Sequence, residues 1–197
     1  MSPSSSAPRI PPGGKKELGL LQWTLLKLGS RRMGGPVPNV MLTLARHRGV
    51  FIPWLWYSSR LMPYGKLPAT DAELVILRVA ARCGSDYERA HHSALGRAAG
   101  LGDAVIAWSA EPVGSTVAPP AHDGIAGDRA TLVVEAADEL IDSHTLSDAT
   151  WARLDAVYSE QQLIEFCLLT GQYAGLAATL NALRVSVEPD TGLHKLR

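Results

Sequence analysis

With only two cysteines in 197 residues, Cys83 and Cys167, the chain has no disulfide framework, and a reducing cytoplasm is the expected compartment. It also lacks an excess of charge of either sign: 19 Lys plus Arg face 19 Asp plus Glu. Arg31-Arg32 and Arg46-His47-Arg48 are short and scattered, so neither nucleic acid nor an anionic membrane is an expected partner. Long hydrophobic runs are missing as well. The most apolar stretch, 50–57, is interrupted by Pro53 and falls short of the roughly 18 residues of a transmembrane helix. The first residues show no basic region leading into an apolar core, so no secretory signal is expected. Convincing strands are absent too, since 185–187 is too short to stand alone.

What is present is helical. Residues 1–14 are rich in Ser, Pro and Gly and read as a flexible tail, leaving 15–197 as one helical domain. Leu18, Leu21, Leu25 and Leu28 recur at helical spacing until Gly29. Helices are expected over 39–46 and 49–62, the second with Pro53 in its first turn. Thr70 to Glu73 and Ser85 to Glu88 each read as a capping box, opening helices that end near Arg82 and Gly100. A short helix spans 103–108. A proline- and glycine-rich loop of a length often tied to function or to an interface covers 111–127. Three further helices start at Asp128, Ser147 and Ser159. The caps at Thr70 and Ser159 form a faint internal echo, for which two ordinary capped helices are the simpler account.

Chemistry concentrates in the helix from Ser85. Glu88 and His92 lie four residues apart and share a face, with His91 beside them. A carboxylate can fix an imidazole's tautomer and raise its pKa, and burial can raise the carboxylate's own. Such a pair can protonate a carbanion or remove a proton next to a carbonyl. The turn at Gly84 should bring Glu73, on the preceding helix, to the same cleft. Helix capping alone would also account for Glu73 and Glu88. Trp54, Trp56, Tyr57 and Tyr64 read mainly as packing, with Trp54 a candidate substrate wall. His47, His122 and His144 are isolated. His91 and His92 point about 100° apart on a helix, which argues against a shared metal ion. The glycines around Tyr173 suggest close helix packing, with the tyrosine in the core or reaching the cleft.

The run 67–92, with its continuation to 108 and the late Gly171-Gln-Tyr173-Ala-Gly-Leu, resembles the carboxymuconolactone decarboxylase / alkylhydroperoxidase D-like superfamily. That resemblance implies an all-α helical bundle, usually a homo-oligomer such as a trimer or hexamer. In the hydroperoxidase branch the motif is a glutamate, a CxxC pair twelve residues on, and a histidine four after the second cysteine. Here the glutamate falls on Glu73 and the histidine on His92, but the cysteine positions fall on Ser85 and Glu88. Cys83 lies two residues early and has no resolving partner, so the thiol cycle of that branch lacks both sulfurs. Tyr87-Glu88-x-x-x-His92 is instead similar to the decarboxylase branch, with Arg89 where many relatives carry tryptophan.

The resemblance thus implies a cofactor-free, metal-free lyase acting on a small lactone or carbonyl acid. In that reading His92 is the proton donor or oxyanion partner, Glu88 tunes it, and Glu73 is a second relay. Tyr87, His91, Tyr173 and Trp54 would contact the substrate. An antioxidant using Cys83 alone and a non-catalytic helical binding or assembly protein are the alternatives.

Overall fold

Prolines, glycines and short polar caps divide the chain into ten helices among the residues the computed structural model describes, which are 7–32, 35–120 and 125–188. They are α1 (Lys15–Leu18), α2 (Leu20–Arg32), α3 (Asn39–Leu44), α4 (Arg48–Leu61), α5 (Ala69–Arg82), α6 (Asp86–Ala99), α7 (Asp103–Trp108), α8 (Gly127–Ser143), α9 (Asp148–Asp155) and α10 (Glu160–Leu183). No strand occurs among the described residues, as expected.

The centre of the bundle is α5, in which every residue from Thr70 to Ala80 is buried. It packs against α6, α8 and α10. Leu74, Ile76 and Leu77 are fully enclosed, and each contributes about 1.5–3 kcal/mol through burial. Enclosure on all sides also forces the polar residues of α5 to find partners. Arg78 donates to Asp138 of α8 and to the carbonyl of Ser109. Asp71 accepts from Tyr158 at 2.5 Å and from Arg129 Nε at 2.7 Å.

The longest helix, α10, has the length and mean hydropathy (1.3) of a membrane span, although no unbroken apolar run in the sequence is that long. It packs against α4, α5, α8 and α9 and buries Leu163, Phe166, Leu169, Ala177 and Leu180, while Ile164 and Leu168 stay exposed. It also carries a buried carboxylate, Glu165, which accepts from the backbone amides of Lys66 at 2.6 Å and Leu67 at 2.9 Å. A Cβ at Gly65 would collide with that carboxylate and with the Leu61 carbonyl, so only glycine fits beneath the clamp.

Several local expectations change. The first helix breaks at Gly19, whose φ of 78° suits glycine, and restarts as α2, which runs through Gly29 to Arg32. Only Leu18 of the predicted leucine stripe is buried; Leu21, Leu25 and Leu28 face outward. Residues 1–6 of the expected tail lie outside the described residues. The rest of it is held: the Arg9 amide donates to Leu183 O and the Gly13 amide to Leu42 O. Pro53 sits in the second turn of α4 rather than the first. The aromatic group is dispersed, for Trp56 and Tyr64 are exposed while Trp54 and Tyr57 pack inward. His144 ends α8 in the left-handed region, and His122 lies outside the described residues.

Candidate active site

The turn from α5 to α6 is built as the sequence suggested. Gly84 has φ 60°, and the Ser85 amide returns to Ala80 O, folding α6 back along α5. Further along α6, Gly96 allows close approach, for a Cβ there would meet Leu77 and Leu101 and come within 3.8 Å of the Glu73 Cβ. No local motif marks Gly96, because its neighbours come from other parts of the chain.

Neither capping box forms as expected. The N-cap of α5 is Pro68, so Thr70 and Glu73 lie inside the helix. Ser85 does cap α6 by accepting from the Glu88 amide, but the Glu88 side chain does not return the bond. Both glutamates are therefore free of the capping role. Ser159 and Gln162 do form a true box, which leaves the proposed internal echo without a shared geometry.

Glu73 instead meets His92. Its Oε2 lies 2.8 Å from His92 Nδ1, and the glutamate side chain is 1% exposed against 11% for the histidine. A carboxylate at this position fixes the proton on Nδ1 and leaves Nε2 as the ring's free nitrogen. Helical spacing alone pairs His92 with Glu88, four residues away. The cross-helix partner wins because Glu73 points from α5 into the α5–α6 seam.

Glu88 is buried, with no hydrogen-bond partner for either carboxylate oxygen among the described residues. Burial pushes its pKa up to about 8, with only the nearby Ser85 hydroxyl opposing. At neutral pH it is thus largely a carboxylic acid. Tyr173 of α10 completes the group. Its ring stands edge-on to His92 with centroids 5.1 Å apart. Burial, and then the charges of Glu73 and Glu88, raise the phenol's pKa, so it remains a hydrogen-bond donor.

Three of the expected contact residues lie elsewhere. The Tyr87 hydroxyl donates to Glu188 Oε1 at 2.8 Å and accepts from the Val40 amide at 3.1 Å. His91 Nε2 lies 2.7 Å from Glu188 Oε2, with its ring stacked on Tyr87. These two side chains hold the segment after α10 rather than facing Glu73 and His92. Trp54 packs with Phe51 and with the cluster around Tyr87 and Leu180. Glu188 was invisible to motif reading, because its partners are a long sequence distance away.

Cys83 lies beside the site without the character of a peroxidatic thiol. Burial pushes its pKa up, and the charge of Glu88 adds to that rise. Cys167 is likewise pushed up by burial.

No protein-family model matches the sequence, and no curated protein matches it. Solved structures do share its architecture. The alkylhydroperoxidase AhpD core of an uncharacterized peroxidase-related protein from Ralstonia eutropha JMP134 is 19% identical, with a TM-score of 0.74 over 95% of this chain and 98% of that one. An uncharacterized peroxidase-related protein from Silicibacter sp. TM1040 is 12% identical, with a TM-score of 0.74 over 95% and 97%. The debrominase Bmp8 is 14% identical, with a TM-score of 0.69 over 95% and 97%. Taken with the Glu73 to His92 motif, these likenesses establish that the chain has the alkylhydroperoxidase D-like all-α fold.

Proposed function

We propose that the protein is a cofactor-free acid–base lyase that decarboxylates a small carbonyl or lactone acid. The observation that carries this reading is the buried, unpartnered Glu88, protonated at neutral pH, in the same group as the Glu73–His92 pair and Tyr173.

The roles differ from those implied by sequence resemblance. Loss of carbon dioxide breaks a carbon–carbon bond and leaves its electron pair on the adjoining carbonyl system as an enolate. The Tyr173 hydroxyl is a donor for the developing oxyanion. Glu88 delivers its proton to carbon and becomes a carboxylate. His92, oriented by Glu73 and 11% exposed at its side chain, relays a proton from solvent to restore Glu88. The net change consumes one proton and releases one carbon dioxide. A debrominase of the same fold has been solved with 2,3,4-tribromopyrrole, which favours a small ring compound here.

The antioxidant alternative requires a readily ionised thiol, and the raised pKa of Cys83 speaks against it. A homo-oligomer, trimer or hexamer, belongs to the proposal and is supported by the outward-facing Leu21, Leu25 and Leu28.

The test is decarboxylation of a panel of lactone and β-keto acids by the wild type, His92→Ala and Glu88→Gln. Activity that falls about a hundredfold or more in both variants supports the assignment. Wild-type activity that survives in both removes these residues from the mechanism. No activity on any acid moves the fold to another substrate or to a binding role.

A further inference from the structure

Away from the Glu73–His92 seam, a cleft of about 540 Å³ opens between α3, the start of α4 and the second half of α10. That volume lies in the range of small-molecule sites. Leu44, Val50, Phe51, Trp54 and Leu176 form its walls. Ile10 and Leu183 close one end, where the Arg9 amide is tied to Leu183 O.

The floor is unusual. Gly171 and Gly175 lie one turn apart on α10, and a Cβ at either would meet nothing within 4 Å. The sequence suggested that these glycines let helices pack closely. The structure shows open space above them instead. Glycine inside a helix costs stability relative to alanine. Here no packing contact or backbone angle requires it, and its effect is to keep the cleft deep.

A second observation is polar. Arg46 and His47 stand at the rim, exposed, and neither is in a salt bridge among the described residues. Apolar walls with the Arg46 guanidinium at the rim describe an amphipathic ligand with a single negative end.

We propose that this cleft is a second binding site, separate from the Glu73–His92–Glu88 group, for an apolar monocarboxylic acid. The apolar body lies over Gly171 and Gly175, and the carboxylate faces Arg46. The inner wall residues Leu44, Trp54 and Leu176 also pack around Tyr87. An occupant would therefore press on the layer that holds Tyr87, Glu188 and His91.

The test is calorimetric titration of the full chain with decanoate and, as the uncharged control, decanol. Decanoate should bind, and decanol should bind about tenfold more weakly. A Cβ at Gly175 meets nothing within 4 Å, so Gly175→Leu places its side chain in the cleft and should keep its helical circular dichroism and melting temperature while losing both ligands by tenfold or more. Arg46→Ala should bring decanoate down to the affinity of decanol. His92→Ala should bind decanoate as the wild type does, which separates this site from the proposed catalytic one. Absence of decanoate binding, or binding unaffected by Gly175→Leu, overturns the proposal. So does binding lost in His92→Ala but retained in Gly175→Leu.

Discussion

Glu73 Oε2 and His92 Nδ1 lie 2.8 Å apart across the seam between α5 and α6, joining two helices through one buried hydrogen bond. Glu73→Gln keeps the shape but replaces the anionic partner. We expect decarboxylation to fall by about ten- to a hundredfold, with the melting temperature changing much less than activity. Parallel kinetics and thermal melts on that variant check the expectation; an unchanged rate would detach Glu73 from the reaction.

Glu88 sets a pH dependence with a defined sign. Its pKa is about 8 in the folded chain against an ordinary 4.5, so the folded state holds a proton that the unfolded state releases. Stability contributed by this group is full below about 4.5 and is lost as pH rises towards 8, at up to roughly 1.4 kcal/mol per pH unit. Glu88→Gln should flatten that slope in urea unfolding measured from pH 5 to 9. A slope identical to the wild type's would mean that Glu88 ionises normally.

The same ionisation should govern turnover. A proton donor with a pKa near 8 makes decarboxylation fall as pH rises through that value, provided chemistry limits the rate. The measurement is kcat against pH with a saturating substrate. A rate that climbs through pH 8 would assign Glu88 the opposite role, that of a base.

Asp71 supports the fold rather than the site. It is wholly buried and accepts hydrogen bonds from Arg129 and Tyr158. Asp71→Asn should cost about 2–4 kcal/mol of stability, the upper part of that range being tempered because Arg129 is partly exposed. Chemical denaturation reads the loss directly. A cost below about 0.5 kcal/mol would show that the network is not needed for stability.

The outward leucines of α2 give the oligomer proposal its own test. Leu21 is 75% exposed and Leu25 60%. Replacing both with glutamate should leave the monomer folded while lowering the mass seen by sedimentation equilibrium. An unchanged assembly mass would place the subunit contact elsewhere.

Local chain chemistry made much of this architecture legible. Ser85, Ser147 and Ser159 stand at the N-caps of α6, α9 and α10, and the left-handed Gly100 ends α6. Glu73 and His92 could be nominated together because a turn of fixed length separates their helices. Which carboxylate would hold the imidazole was not legible. Spacing along one helix favours Glu88, but side-chain direction across the seam decides for Glu73. The same limit applies to Tyr87 and His91, which turn to Glu188 because a distant segment offers a buried carboxylate. The leucines of α2 misled for a related reason, since periodicity reports an apolar face without saying whether this chain covers it.

The Glu165 clamp bears on how the molecule could be cut. Two amides just before α5 are held by a carboxylate from α10, so that helix's starting point is set from across the bundle as well as by the chain that leads into it. A nick in the peptide between Met62 and Gly65 would sever the covalent link between α4 and α5 while leaving that anchor intact. The fragment that begins there carries both amides, Glu165 and the whole α5–α6 seam, so it should keep the Glu73–His92 contact without the first four helices.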